Sequence, residues 1–107
     1  MSAERSSITL DGGTVIGEVE PWDSDPTLFG GWLAEGSGIS SLVAEGMDRD
    51  RTELEIVRLF LVREIKVQER ADRSSPEGVE RNRLIQEGFR MQKALTSKIL
   101  REQGEVA

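Results

Sequence analysis

Residues 21–38 read PWDSDPTLFGGWLAEGSG. Pro21, Pro26, Gly30, Gly31, Gly36 and Gly38 argue against a long helix here, and equally against a central β-strand, because proline lacks the amide and glycine the packing surface that such a strand uses. The stretch therefore reads as a solvated loop. Yet it carries Trp22, Phe29 and Trp32, three of the five aromatic residues in a chain of 107. A loop so loaded must lay its rings against something, and what they cover is the question the rest of the sequence has to answer.

Upstream, Ser7-Ile8-Thr9-Leu10 and Thr14-Val15-Ile16-Gly17-Glu18-Val19 are β-prone runs joined by Asp11-Gly12-Gly13, a composition suited to a tight hairpin turn. Two strands alone are marginal in water, so this hairpin needs a body or a foreign sheet edge beside it. Downstream, Ile39 to Glu45 suggests one or two helical turns ending near Gly46. From Asp48 the character changes. Asp50 or Thr52 can cap a helix, and Thr52-Glu53-Leu54-Glu55 fits the capping-box pattern, predicting a first long helix over 52–73. Ser75 as N-cap, Pro76 at the first helical position and Glu77 at the positive end of the dipole predict a second, running to about Gln103 and stopped by Gly104. The short connection makes the pair antiparallel. The expected fold is thus mainly α: an antiparallel two-helix hairpin over 48–107, with an extended, acidic N-terminal arm over 1–47 that holds a short β-hairpin and the aromatic loop.

The two helices differ in how much cover they need. In the second, Leu84, Ile85, Phe89, Leu95 and Ile99 share one half of the circumference, and Arg83, Arg90, Lys93, Lys98 and Arg101 take the other, the pattern of an ordinary two-faced helix. In the first, Leu54, Ile56, Val57, Leu59, Phe60, Leu61, Val62, Ile65 and Val67 point in every direction. A helix apolar all round is expected to be covered on several sides, and one partner helix covers only one. Trp22, Leu28, Phe29, Trp32 and Leu33 are a ready supply of cover, since a large aromatic buries about 150–250 Å². The same residues are equally suited to docking on another chain.

Charge sharpens the contrast between the halves. Residues 1–47 hold eight acids against one base, Arg5, whereas 48–73 is neutral and 74–107 nearly so; the chain's net charge is −6. That balance speaks against a nucleic-acid partner, whose phosphates require clustered Lys and Arg. No run of about 18 apolar residues is present to cross a bilayer, and the first residues lack the apolar core of a secretory signal, so a soluble chain made in the cytoplasm is expected. There is no cysteine and no histidine, which removes disulfides, thiolates and the commonest general base and metal ligand. Asp48-Arg-Asp50-Arg-Thr52 begins like a calcium loop but lacks its glycine and has Leu59 at the twelfth position, where a bidentate Glu belongs. Gly12, Gly13 and Gly17 precede no phosphate-binding Lys. Glu64, Glu69, Glu80 and Glu87 lack the His partners of a di-metal bundle. No cofactor and no catalytic role are expected.

What remains is protein–protein contact. The expected partner-binding residues are Trp22, Asp23, Asp25, Leu28, Phe29 and Trp32 on the arm, and Leu59, Phe60 and Val62 on the apolar flank of the first helix. Arg83, Arg90 and Arg101 form a basic ridge on the second helix, suited to receiving the acids Asp23, Asp25 and Glu35 from the same chain or a neighbour. The functional expectation is a non-enzymatic assembly protein, a homo-oligomer or part of a larger complex, with a phage-type virion structural or adaptor component as the model case. The alternative is a small acidic regulator that occupies a basic groove on a partner protein.

Overall fold

A computed structural model of the protein describes residues 5–35 and 38–104. Four strands, β1 (Ser6–Thr9), β2 (Val15–Pro21), β3 (Phe29–Glu35) and β4 (Gly38–Met47), precede two helices, α1 (Arg49–Arg70) and α2 (Pro76–Gly104). The strands form an antiparallel sheet in the order β1-β2-β3-β4. The fold is therefore α+β, not the mainly α hairpin with an extended arm that the sequence suggests. The β-hairpin is present, closed by the amide of Gly13 bonding to the carbonyl of Leu10 at 2.8 Å, but it is half of a larger sheet. Half of the aromatic loop is the central strand β3, and the segment expected to make helical turns near Ile39 is β4.

The physical reason lies in Gly17 and Gly31. Both face α1: a Cβ at Gly17 would stand 2.7 Å from Ile56 Cγ2 and 2.3 Å from the carbonyl oxygen of Trp32, and one at Gly31 would stand 2.8 Å from Thr52 Cγ2. Glycine in these strands marks where a helix comes unusually close, one of the recognised uses of strand glycine. Pairing is kept across it, with Val19 opposite Gly31 and Gly17 opposite Leu33. Composition that looks like a loop is here the seat for a helix.

Sheet and helices share one buried cluster, in which Ile8, Ile16, Val19 and Leu33 meet Ile56, Val57, Phe60 and Leu61, with Ile85 and Leu95 from α2. Phe29 and Leu33, the alternate residues of β3, supply the cover that α1 needs. Trp22 and Trp32 belong to another surface, described below. On its other side α1 meets α2 at Gly88, where an added Cβ would stand 2.7 Å from Leu61 Cδ2. The wrapping is incomplete: Val62 and Val67 remain 49% and 42% exposed, so α1 is buried along two stripes and not around its whole girth.

Local signals set the helix ends. Asp48, not Asp50 or Thr52, caps α1 by accepting the Arg51 amide at 2.9 Å. The Thr52 hydroxyl is buried and donates back to the Asp48 carbonyl at 2.8 Å, and Asp50 accepts from Lys98 Nζ of α2 at 3.0 Å. Ser75 caps α2 as expected, its hydroxyl accepting the Gly78 amide at 3.0 Å. A charge-assisted hydrogen bond ties α2 to the β1–β2 turn: the buried Glu87 carboxylate accepts the Gly12 amide at 2.8 Å and pairs with Arg83 of its own helix.

Two outcomes follow. Gly17→Ala should destabilise the fold by roughly 1–3 kcal/mol, the range for overpacking a tight core, whereas Gly104→Ala, with open space around it, should be near neutral; chemical denaturation compares them. The amide of Arg51 holds the Asp48 carboxyl below its ordinary value, so its contribution is present above the unfolded-state pKa and is lost as pH falls through the folded one. Asp48→Ala should cost about 1 kcal/mol at neutral pH. Asp48→Asn should keep much of the cap while flattening the acid limb of a stability–pH profile.

Candidate partner-binding face

Alternation along the central strands sorts their side chains between two faces. On β2, Val19 is fully buried toward the helices, which sends Glu18 and Glu20 to the opposite face. On β3, Gly31 and Leu33 face α1, which sends Gly30 and Trp32 the other way. The register sets Glu18 directly across from Trp32 and Glu20 across from Gly30. Among the described residues no helix packs on this second face. α1 and α2 both lie on the other.

Arg5, just ahead of β1, reaches over this face. Its guanidinium carbon lies 4.4 Å from the centroid of the Trp32 ring. Nη1 stands 3.3 Å from Glu18 Oε1 and Nη2 3.8 Å from Glu20 Oε2. The seat thus combines a ring face with two carboxylates, the arrangement that suits a planar cation. Beyond it, Glu20, Pro21, Trp22, Asp23, Ser24, Gly30 and Trp32 line a groove of about 460 Å³. Gly30 contributes no side chain to the space between the two indoles.

The β2–β3 loop that carries Trp22 and Asp23 is braced. The amide of Trp22 donates to the Leu28 carbonyl at 2.9 Å, and that of Leu28 to the Asp25 carbonyl at 3.0 Å. Asp25 accepts from the Thr27 amide at 3.0 Å and from its hydroxyl at 2.6 Å, and these bonds hold its carboxyl below the usual range. Asp25 therefore shapes the turn, while Asp23 lines the groove.

Of the expected partner-binding residues, the structure brings together Trp22, Asp23 and Trp32. Leu28 and Phe29 are half-buried, and Phe29 packs against the core. Phe60 is buried at 2% exposure, which removes it from any external surface; Leu59 packs partly against the core and Val62 is exposed on the helical side. The basic ridge is engaged within the chain: Arg83 pairs with Glu80 and Glu87, and Arg90 lies 3.6 Å from Asp11. Arg101 is exposed in the last turn of α2. The side chain of Glu35 falls outside the described residues. Sequence reasoning missed Arg5, Glu18 and Glu20; the signal was Glu18-Val19-Glu20, an acid–apolar–acid alternation that puts two carboxylates on one face once β2 is inside a sheet.

A second hollow of about 430 Å³ lies between the helices near their connection, beside Ile65, Gln68, Val79 and Ile85. Glu69, Arg73 and Asn82 also line it, and the buried Gln68 amide is already used, donating to the Gly78 carbonyl at 3.0 Å and accepting from Arg81 at 3.2 Å. Among the described residues no group of three or more acids is placed to hold a metal ion, and no helix is long and apolar enough to cross a membrane. Comparison with family models, with curated proteins and with solved structures finds no match to the chain.

If Arg5 covers Trp32, Arg5→Ala should raise acrylamide quenching of the tryptophan emission while changing stability by no more than about 1 kcal/mol, the scale for exposed ion pairs and cation–π contacts. Unchanged quenching would show that the ring is not shielded by this side chain.

Proposed function

We propose that the protein is a non-enzymatic assembly component that acts through protein–protein contact, and that the helix-free face of its sheet is the contact surface. The observation that carries this reading is the pair Trp22 and Trp32 on a face the helices leave uncovered, bordered by Glu18, Glu20 and Asp23. Aromatic residues are enriched at the anchoring centres of protein interfaces, where a rigid ring offers much area at little entropic cost. The molecule's flat outline, 46 × 38 × 20 Å, gives such a face breadth. Composition supports the non-enzymatic part, since the chain has neither His nor Cys to act as base or nucleophile. A regulator working through a free acidic arm is less well supported, because four strands between Ser6 and Met47 build most of that segment into the sheet.

The test is site-specific photo-crosslinking in the cells that make the protein. A photoreactive residue at Ser24, on the groove, should yield a discrete protein adduct that is lost when Trp32→Ala is added. The same probe at Glu77, in the first turn of α2, should not. Equal labelling at both positions, or none at Ser24, would overturn the assignment of this face.

A further inference from the structure

We infer that the partner's contribution to this face is an arginine side chain on a basic segment, and that Arg5 is an internal stand-in which the partner must displace. The inference rests on the assignment of the open sheet face as the contact surface. Arg5 shows what the seat accepts: a guanidinium stacked 4.4 Å from the Trp32 centroid with both η nitrogens turned to carboxylates, Glu18 and Glu20. A guanidinium is planar, weakly hydrated and forked, so it can stack and pair at once; an ammonium is a compact, strongly hydrated point charge that loses the stacking. The seat therefore favours arginine over lysine.

Charge complementarity points to a foreign base. Arg5 is the only base among residues 1–47, against eight acids. The groove continues from the seat across Gly30 to Trp22 and Asp23, a volume of about 460 Å³ that Arg5, seated over Trp32, leaves open for the residues flanking an incoming arginine. Exchange is physically easy: Arg5 precedes the first strand and its side chain is 44% exposed, so its hold is screened by solvent. An occupant of this kind lowers the apparent affinity for a competitor in proportion to the time it fills the seat. Removing it should tighten binding of a basic peptide on two counts, by vacating the ring face and by leaving Glu18 and Glu20 without their internal cation, so the arginine-over-lysine preference is the readout that separates stacking from charge alone.

The experiment is titration of the full chain with an acetylated Arg-Gly-Arg-Gly-Arg peptide and its Lys-Gly-Lys-Gly-Lys counterpart, read by tryptophan fluorescence and by calorimetry. Arg5→Ala should bind the arginine peptide about threefold or more tightly than wild type. Trp32→Ala in that background should lose about tenfold, and Glu18→Gln with Glu20→Gln, which leaves the ring in place should Trp32→Ala fold poorly, should weaken binding comparably. Lysine peptide should bind several-fold more weakly than arginine peptide throughout. Equal affinity for the two peptides, or an Arg5→Ala variant no tighter than wild type, overturns the inference. So does a fall in the mass of the wild-type protein, measured by light scattering, on introducing Arg5→Ala, which would assign the seat to the Arg5 of a second copy. A crosslinked adduct at Ser24 with no arginine preference would sink the inference alone; absence of both would sink the assignment of the face beneath it.

Discussion

Ile56 resting against Gly17 and Gly31 is the contact around which the molecule is arranged. Two adjacent strands each omit a side chain on the face toward α1, Gly17 on β2 and, diagonally across, Gly31 on β3, and the helix fills the space with a branched side chain that is wholly buried. Close approach of this kind gains dispersion contacts that a side chain-to-side chain spacing would forgo. It also fixes the strand phase. Once Gly31 must face α1, alternation makes Leu33 its neighbour in the core and leaves Trp32 no place on that side, because a register slip of one residue would exchange the two faces. The position of the candidate site is therefore a consequence of helix seating.

Much of the helical half was legible in the sequence because its signals are local. Ser75, Pro76 and Glu77 announce the start of α2 within three residues, and the two-faced pattern of α2 persists over its length. The sheet was harder for a definite reason. Gly30 and Gly31 weaken a strand taken alone, and only the tertiary contact with Thr52 and Ile56 turns Gly31 into an asset. Similarly, Ile39 to Glu45 has no turn chemistry to distinguish strand from helix, and its pairing with β3 is decided by that partner. The aromatic payload of residues 21–38 was read as one patch. In the sheet it is divided by strand alternation, with Phe29 inward and Trp32 outward, a division that cannot be seen until the stretch is recognised as a strand. Glu18 and Glu20 escaped notice for the same reason.

Three charged contacts on the helical side join separate elements. Lys98 reaches Asp50, joining the end of α2 to the start of α1; Arg83 and Glu87 tie α2 to the β1–β2 turn through the Gly12 amide; Arg90 lies by Asp11 on the same turn. Glu87 is the most buried of these acids, at 5% exposure, and a buried carboxylate is tolerable only when its oxygens are hydrogen-bonded, as both are here. These contacts link α2 to the start of α1 and to the hairpin turn, adding to the close α1–α2 packing at Gly88.

That pairing bears on who can meet the open face. A ridge of arginines on α2 receiving the acids of a neighbouring copy would have to give up Glu80, Glu87 and Asp11 first, and losing a partner is costly where the remaining charge is buried, as at Glu87. The acids of the sheet face carry no comparable commitment. Asp23 lines the groove, and among the described residues Glu18 and Glu20 pair with a half-exposed Arg5. Because Arg83, Arg90 and Lys98 are paired on the helical side and the acids Glu18, Glu20 and Asp23 gather on the open face of the sheet, a base from outside would offset the imbalance there. A base stacked on the two indoles would be held by a contact that salt alone does not remove, since burial of ring area is insensitive to the screening that weakens exposed ion pairs.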